Sequence, residues 1–197
     1  MKQHSKSGRK FKKIIPKLTL NPTYYNLNKF FSYPELFMGM IDGGRGIGKT
    51  TSAFIKAIIN SNKGEEFIYL RRYKPEIKDF VNQDSLSPIV DGIRYRGDGT
   101  GGYMCYYEDH KIGNLIALST SRSYKSVDFS KVTLIIFDEI QECPNALTSL
   151  KYFSLPLKLT PIASTSFSKA LFDFPGILFC SCIKVFIFKL CAAFITG

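Results

Sequence analysis

An α/β fold, with a mainly parallel sheet and flanking helices, is predicted from three stretches of the chain. The first is an apolar run, Leu36 to Ile41, that leads into the glycine-rich Gly43-Gly44-Arg45-Gly46-Ile47-Gly48-Lys49-Thr50. The second is the helical recurrence of Phe54, Ile55, Ile58 and Ile59, with Ala53 and Ala57 between them. The third is Val132-Thr133-Leu134-Ile135-Ile136-Phe137-Asp138-Glu139, an apolar run ending in two carboxylates. Strand, glycine loop and helix in that order are what a phosphate-binding loop requires, and continuous apolar runs fit strands buried on both faces.

Gly43, Gly48, Lys49 and Thr50 fall on the G-x-x-x-x-G-K-[ST] spacing of a P-loop. Glycines let the backbone turn through positive φ and bring its N–H groups against phosphate oxygens with no Cβ in the way. Lys49 is suited to the β- and γ-phosphates, and the Thr50 hydroxyl to Mg²⁺. The following helix adds its N-terminal partial charge at the same point. The candidate nucleotide-binding set is therefore Gly43, Gly44, Arg45, Gly46, Ile47, Gly48, Lys49, Thr50 and Thr51. A dinucleotide fold is disfavoured because the G-x-G-x-x-G order is absent, and a protein kinase because no H-R-D or D-F-G follows.

Upstream, Met1 to Lys17 holds seven basic residues and no acid, which reads as a flexible arm over residues 1–20: a solvated tail or a nucleic-acid contact. Asn21 to Pro34 is aromatic and polar, suited to packing and, at Tyr24 or Tyr33, to stacking on a base. The net charge of +11 and a pI near 9.4 favour a polyanionic partner. Five cysteines show neither zinc spacing nor a disulfide framework, and no signal peptide is recognisable, which suits free thiols in a reducing cytoplasm. His4 and His110 are too few and too scattered for a metal site.

Glu66 to Leu70 reads as a second strand, which leaves Arg71-Arg72-Tyr73-Lys74-Pro75 at its carboxyl end. In an open α/β sheet that end faces the ligand crevice, so these cations are expected to contact phosphate of nucleotide or DNA. Asp91 to Tyr107 predicts a β-hairpin around the glycines of 97–102, and Ile112 to Leu118 a further short strand. The run into Asp138-Glu139 follows Lys49 by about ninety residues and has the Walker B pattern. Asp138 is expected to hold Mg²⁺, and Glu139 to orient and deprotonate the attacking water.

These stretches, and above all Phe67 to Glu76, resemble the DNA-encapsidation ATPases of small tailed phages of the Salasvirus type, over roughly residues 30–142. The resemblance implies a ring-forming ATPase of the ASCE division of P-loop NTPases. Such a protein sits on the portal vertex of an empty prohead, beside a scaffold RNA, and uses ATP to move double-stranded DNA inside. By matching position Lys49, Thr50, Asp138 and Glu139 take the nucleotide, metal and catalytic roles. Lys125 takes that of a basic residue facing a neighbouring subunit's ATP, and Arg45 is within reach of phosphate. The implied location is the host cytoplasm, at the prohead during assembly.

The departures begin near Glu142. Members of that family are much longer and carry an arginine finger after Walker B, whereas the last arginine here is Arg122. Residues 21–142 are read as the ATPase core and 143–197 as an atypical apolar tail. Three expectations for the tail, in order, are out-of-frame or truncated sequence, strands that complete the sheet, and a membrane anchor. The anchor is disfavoured because Lys184 and Lys189 would each cost about 2.5–3.5 kcal/mol near the bilayer centre. The alternatives in function are another translocase of the FtsK/HerA kind, and a nucleotide-binding product without motor activity.

Overall fold

A computed structural model of the chain describes residues 13–17, 27, 38–41, 46–139 and 185–189. Seven strands form one mixed sheet in the order β1-β7-β6-β2-β5-β4-β3. They are β1 (Met38–Ile41), β2 (Glu66–Arg71), β3 (Ile93–Gly97), β4 (Tyr103–Tyr107), β5 (His110–Ala117), β6 (Val132–Asp138) and β7 (Val185–Lys189). Strands β6, β2 and β5 pair in parallel, while β7 is antiparallel to both β1 and β6, and β4 to both β5 and β3. It follows that β1, β6, β2, β5 and β3 share one direction, and β7 and β4 oppose them. The predicted parallel character holds for strand direction, although only the three central strands pair in parallel with one another.

Two of these three strands, β2 and β6, are the continuous apolar runs. In β2 the four residues Phe67 to Leu70 are buried, and in β6 so is every residue but Thr133. Strand alternation sends Phe67, Tyr69 and Arg71 to one face and Ile68 and Leu70 to the other. Helix α1 (Lys49–Ser61) covers the first face with Ala53, Phe54, Ala57 and Ile58, while Ile59, which belongs to the predicted apolar stripe, is 43% exposed. Phe54 stands edge-on to Phe67 at 5.8 Å between ring centroids and 5.0 Å from Tyr69. Helix α1 ends at a turn in which Gly64, at φ 80°, donates its N–H to the Ser61 carbonyl.

Helix α2 (Lys74–Asn82) occupies a stretch to which the sequence assigned no element. Its start is fixed by Pro75 in the first turn and by the Glu76 carboxylate, which accepts the N–H groups of Arg72 at 3.0 Å and Tyr73 at 3.3 Å. Phe80 of α2 then closes the aromatic cluster, 4.8 Å from Tyr69 and 5.4 Å from Phe54.

The β3–β4 hairpin forms as predicted, with Gly99 and Gly101 at positive φ in its loop. A 3-10 segment, Leu118–Tyr124, follows β5 at the same sheet edge as the carboxyl ends of β2 and β6. Strand β7 comes from the atypical tail and lies between the strand entering the glycine loop and the strand ending in Asp138. Residues 143–184 and 190–197 lie outside the described residues. Among the described residues no helix is long and apolar enough to cross a membrane.

Residues 13–17, which the sequence reading places in a flexible arm, are instead docked on the core. Ile14 is buried, donating its N–H to Asn62 Oδ1 at 2.6 Å and accepting from Asn62 Nδ2 at 2.9 Å. The Lys17 N–H donates to the Ile89 carbonyl at 2.7 Å and its ammonium pairs with Asp91. Burial of Ile14 and these contacts hold the segment on the core despite its flanking lysines.

Gly113 of β5 shows how tightly the covered face is filled. A Cβ placed there would lie 2.6 Å from the Phe67 ring, which is itself fully buried against Phe54. Gly113→Val should therefore destabilise the chain by about 1–3 kcal/mol through overpacking. Urea unfolding followed by circular dichroism measures this; an unchanged midpoint would mean that the Phe67 ring moves aside freely.

Candidate functional site

At the carboxyl edge of the sheet, β6 delivers Asp138 and Glu139, β2 delivers Tyr69 and Arg71, and the first turn of α1 delivers Thr50. Asp138 is 7% exposed. Its Oδ2 accepts from the Thr50 hydroxyl at 3.3 Å and from the Tyr69 hydroxyl at 3.3 Å, and it lies 3.5 Å from Arg71 Nη1. Its Oδ1 is buried with no hydrogen-bond partner among the described residues. Burial pushes the Asp138 carboxyl above the usual range; the Arg71 guanidinium opposes that shift and the neighbouring Glu139 adds to it. Burial and then the Asp138 charge drive the Tyr69 hydroxyl well up, so it stays a neutral donor.

Arg71, one of the cations expected to contact phosphate, is paired with carboxylates. Its Nη1 lies 2.7 Å from Glu139 Oε2 as well as 3.5 Å from Asp138, and its Nε lies 3.9 Å from Glu76 Oε2. The reason is parity along β2: Arg71 follows Tyr69 by two residues, so both reach the face where the carboxylates converge. Glu139 sits at φ 58°, a left-handed backbone that a non-glycine residue adopts at a cost of about 1–3 kcal/mol. Tyr69 and Glu76 are the members that sequence reasoning missed. The signal for Tyr69 was the period-two alternation of Phe67, Tyr69 and Arg71; for Glu76 it was Pro75-Glu76 ahead of Ile77 and Phe80.

The glycine loop meets this cluster at the start of α1. Gly46 and Gly48 stand at φ 79° and 74°, where a side chain would be strained, so the motif's glycines are conformationally required at both. Gly48 is the N-cap of α1, no side chain caps it, and the first turn holds no acid of its own. Lys49 is 4% exposed, Ile47, Thr50 and Thr51 are half-buried, and Gly43, Gly44 and Arg45 lie outside the described residues. Lys125 is exposed at the C-terminal cap of the 3-10 segment.

No three carboxylate, imidazole or thiol side chains converge as a protein-only metal site among the described residues. Mg²⁺ in nucleotide sites is usually held by one or two protein oxygens, with phosphates and water completing the shell. The Thr50 hydroxyl beside a buried carboxylate with one open oxygen is such a partial donor set.

A family model described as Podovirus DNA encapsidation protein (Gp16) matches residues 21–150. The DNA packaging protein of Bacillus phage phi29 is 34% identical over 125 residues, 62% of this chain and 37% of that protein. That of Bacillus phage B103 is 36% identical over 119 residues, 58% and 36% of the respective lengths. The chain thus spans little more than a third of the length of these relatives. Among solved structures, the bacteriophage Phi-29 viral genome packaging motor assembly aligns at TM-score 0.45 and 31% identity, covering 66% of this chain and 41% of that one. The Phi-28 gp11 DNA packaging motor aligns at TM-score 0.43 and 19% identity, covering 66% and 44%. The family match takes in the glycine loop, the β2–α2 junction and the Asp138-Glu139 pair, and by it the chain belongs to the podovirus DNA encapsidation protein family.

Proposed function

We propose that this chain is the ATPase portion of a phage DNA-packaging motor subunit, of the P-loop NTPase fold in its ASCE division. In this reading it binds Mg-ATP at the glycine loop, hydrolyses it, and in a homo-oligomeric ring at the portal vertex, beside a scaffold RNA, drives double-stranded DNA into the prohead. The observation that carries the reading is the meeting of Thr50 and Asp138 at the start of α1, with Asp138 Oδ1 buried and open. Membership of the encapsidation family supplies the context in which that chemistry would be used.

Each side chain then has a task. Lys49 and the N–H groups at the start of α1 hold the phosphates, with Gly43, Gly44, Arg45, Gly46, Ile47, Gly48 and Thr51 completing the cradle. Thr50 and Asp138 would hold Mg²⁺, which when bound neutralises phosphate charge. Glu139 orients the attacking water and takes its proton. Tyr69 donates to Asp138 and keeps it oriented. Arg71 holds Glu139 by ion pairing, so a productive site requires Glu139 to exchange that partner for water. Lys125 presents a positive charge at the same sheet edge, for a neighbouring subunit's nucleotide.

Two variants separate binding from chemistry. Lys49→Ala should weaken Mg-ATP binding by about a hundredfold or more, as expected for the loss of a charge-assisted contact to phosphate. Glu139→Gln should keep the parent affinity while turnover falls by about 10²–10⁴, the usual worth of a general base. Titration calorimetry and steady-state phosphate release measure the two; equal affinity in Lys49→Ala and the parent would remove the phosphate loop from the account.

Turnover by the 197-residue chain alone should be slow. A trans arginine in related phosphoryl-transfer sites is worth about 10³–10⁵ in rate, and no arginine follows Arg122 here. A lysine at 125 supplies charge without the fixed fork of a guanidinium. Phosphate release measured across protein concentrations, with and without duplex DNA, should stay low and flat. A rate rising severalfold with both would show that rings form and that Lys125 suffices.

A further inference from the structure

Away from the carboxylates of the candidate site, one cluster of polar side chains has no role in the reading above. It joins the loop of the β3–β4 hairpin to the end of the 3-10 segment that follows β5. Asp98 Oδ1 accepts the N–H of Thr100 at 2.8 Å, the N–H of Gly102 at 3.0 Å and the Thr100 hydroxyl at 2.9 Å. Its other oxygen accepts a short hydrogen bond from the Tyr124 hydroxyl, and Thr100 Oγ1, whose one proton is directed at Oδ1, lies within hydrogen-bond distance of that hydroxyl. Gly102 is required at the centre of this cluster. A Cβ there would lie 2.5 Å from the Tyr124 hydroxyl, 2.6 Å from Asp98 Oδ2 and 2.7 Å from the Leu115 carbonyl.

The cluster ties together two segments that bear cations at the carboxyl edge. On one side, the hairpin loop packs on the first turn of α2, since a Cβ at Gly101 would lie 2.8–2.9 Å from the Lys74 side chain. On the other side, Tyr124 is the residue before Lys125; its ring is buried and packs on Phe129 at 6.2 Å between centroids. The 3-10 segment is fixed at its other end by the Ser119 N–H, which donates to the Arg72 carbonyl at 3.2 Å. A short 3-10 stretch has poor internal hydrogen bonding and holds its shape only through such outside contacts. The Asp98 carboxylate is partly buried, which raises its affinity for a proton, yet the hydrogen bonds from Tyr124, Thr100 and Gly102 hold it below its ordinary range. The lock is therefore ionised and fully formed at neutral pH.

We infer that Asp98 and Tyr124 are positioning residues, which clamp the Leu118–Tyr124 segment to the hairpin loop and so set where Lys125 stands at the carboxyl edge of the sheet. The effect on turnover rests on the ATPase reading above; the clamp itself does not. The hairpin is then a brace for the motor's second cationic segment, acting through Lys125 without touching nucleotide.

The experiment uses the full chain with Tyr124→Phe, which keeps the ring against Phe129 and removes only the hydroxyl, and with Asp98→Asn. Amide hydrogen exchange should rise by at least about tenfold in residues 98–102 and 118–125 and stay at the parent rate in α1, β2 and β6, as local opening of one unit predicts. In steady-state assays, any part of the turnover that depends on protein concentration should fall by about ten- to a hundredfold in Tyr124→Phe with KM unchanged, as misplacement of a reacting group does. The same substitution in a Lys125→Ala background should lower kcat no further. Unchanged exchange in 118–125 overturns the clamp. An equal fall in kcat with and without Lys125 overturns its action through that residue. A parent chain that binds ATP without turning it over contradicts the catalytic reading alone, and the clamp is then decided by exchange.

Discussion

A carboxylate taken out of water at the end of β6 is the constraint around which the described core is arranged. Asp138 is almost fully buried, and isolated burial of such a charge would cost several kcal/mol or shift it to the neutral form. Three groups from two other elements offset that cost, all on one oxygen: the Thr50 hydroxyl from α1, the Tyr69 hydroxyl and the Arg71 guanidinium from β2. Their convergence requires α1 to pack on the Tyr69 face of β2, which is what Phe54 achieves between Phe67, Tyr69 and Phe80. The other oxygen, Oδ1, has no hydrogen-bond partner among the described residues, and the proposed cation role rests on that observation.

Arg71 extends that constraint beyond the site. It is shared among Asp138, Glu139 and Glu76, and Glu76 also caps the backbone at Arg72 and Tyr73, so one cation links the carboxylate pair to the start of α2. The Arg72 carbonyl in turn anchors the segment leading to Lys125. Contacts therefore run without a break from the Asp138–Glu139 pair to both cationic segments at the carboxyl edge. The left-handed backbone at Glu139 fits this picture, since strain held in place by surrounding contacts concentrates at residues whose position matters chemically.

Much of this was legible in the sequence. The strands ending in Arg71 and Asp138 were visible as continuous apolar runs, α1 as a helical recurrence, and the hairpin as a glycine cluster between β-formers. Helix α2 was not, because attention went to the cations of Arg71–Lys74, whereas Pro75 marks a helix start: at the first turn its missing N–H costs nothing. The place of β7 between β1 and β6 was illegible for a different reason: strand order is decided by tertiary pairing, and the tail carries no motif that names its neighbours. Lys17 was counted as a loose cation, yet Asp91 pairs with it across more than seventy residues of chain. Tyr69 looked like one more apolar core residue, and its hydroxyl became informative only once β6 was placed beside β2.

Asp138 as a cation ligand is tested most directly by comparing ATP binding with and without Mg²⁺ in the parent chain and in Asp138→Asn, by titration calorimetry. The parent should bind ATP at least about tenfold more tightly with Mg²⁺ than without it, and the variant should bind both forms alike, a difference of about 1.4 kcal/mol or more. Equal affinity of the parent for ATP with and without the metal, or a full metal dependence retained in Asp138→Asn, would contradict the role of the open Asp138 oxygen.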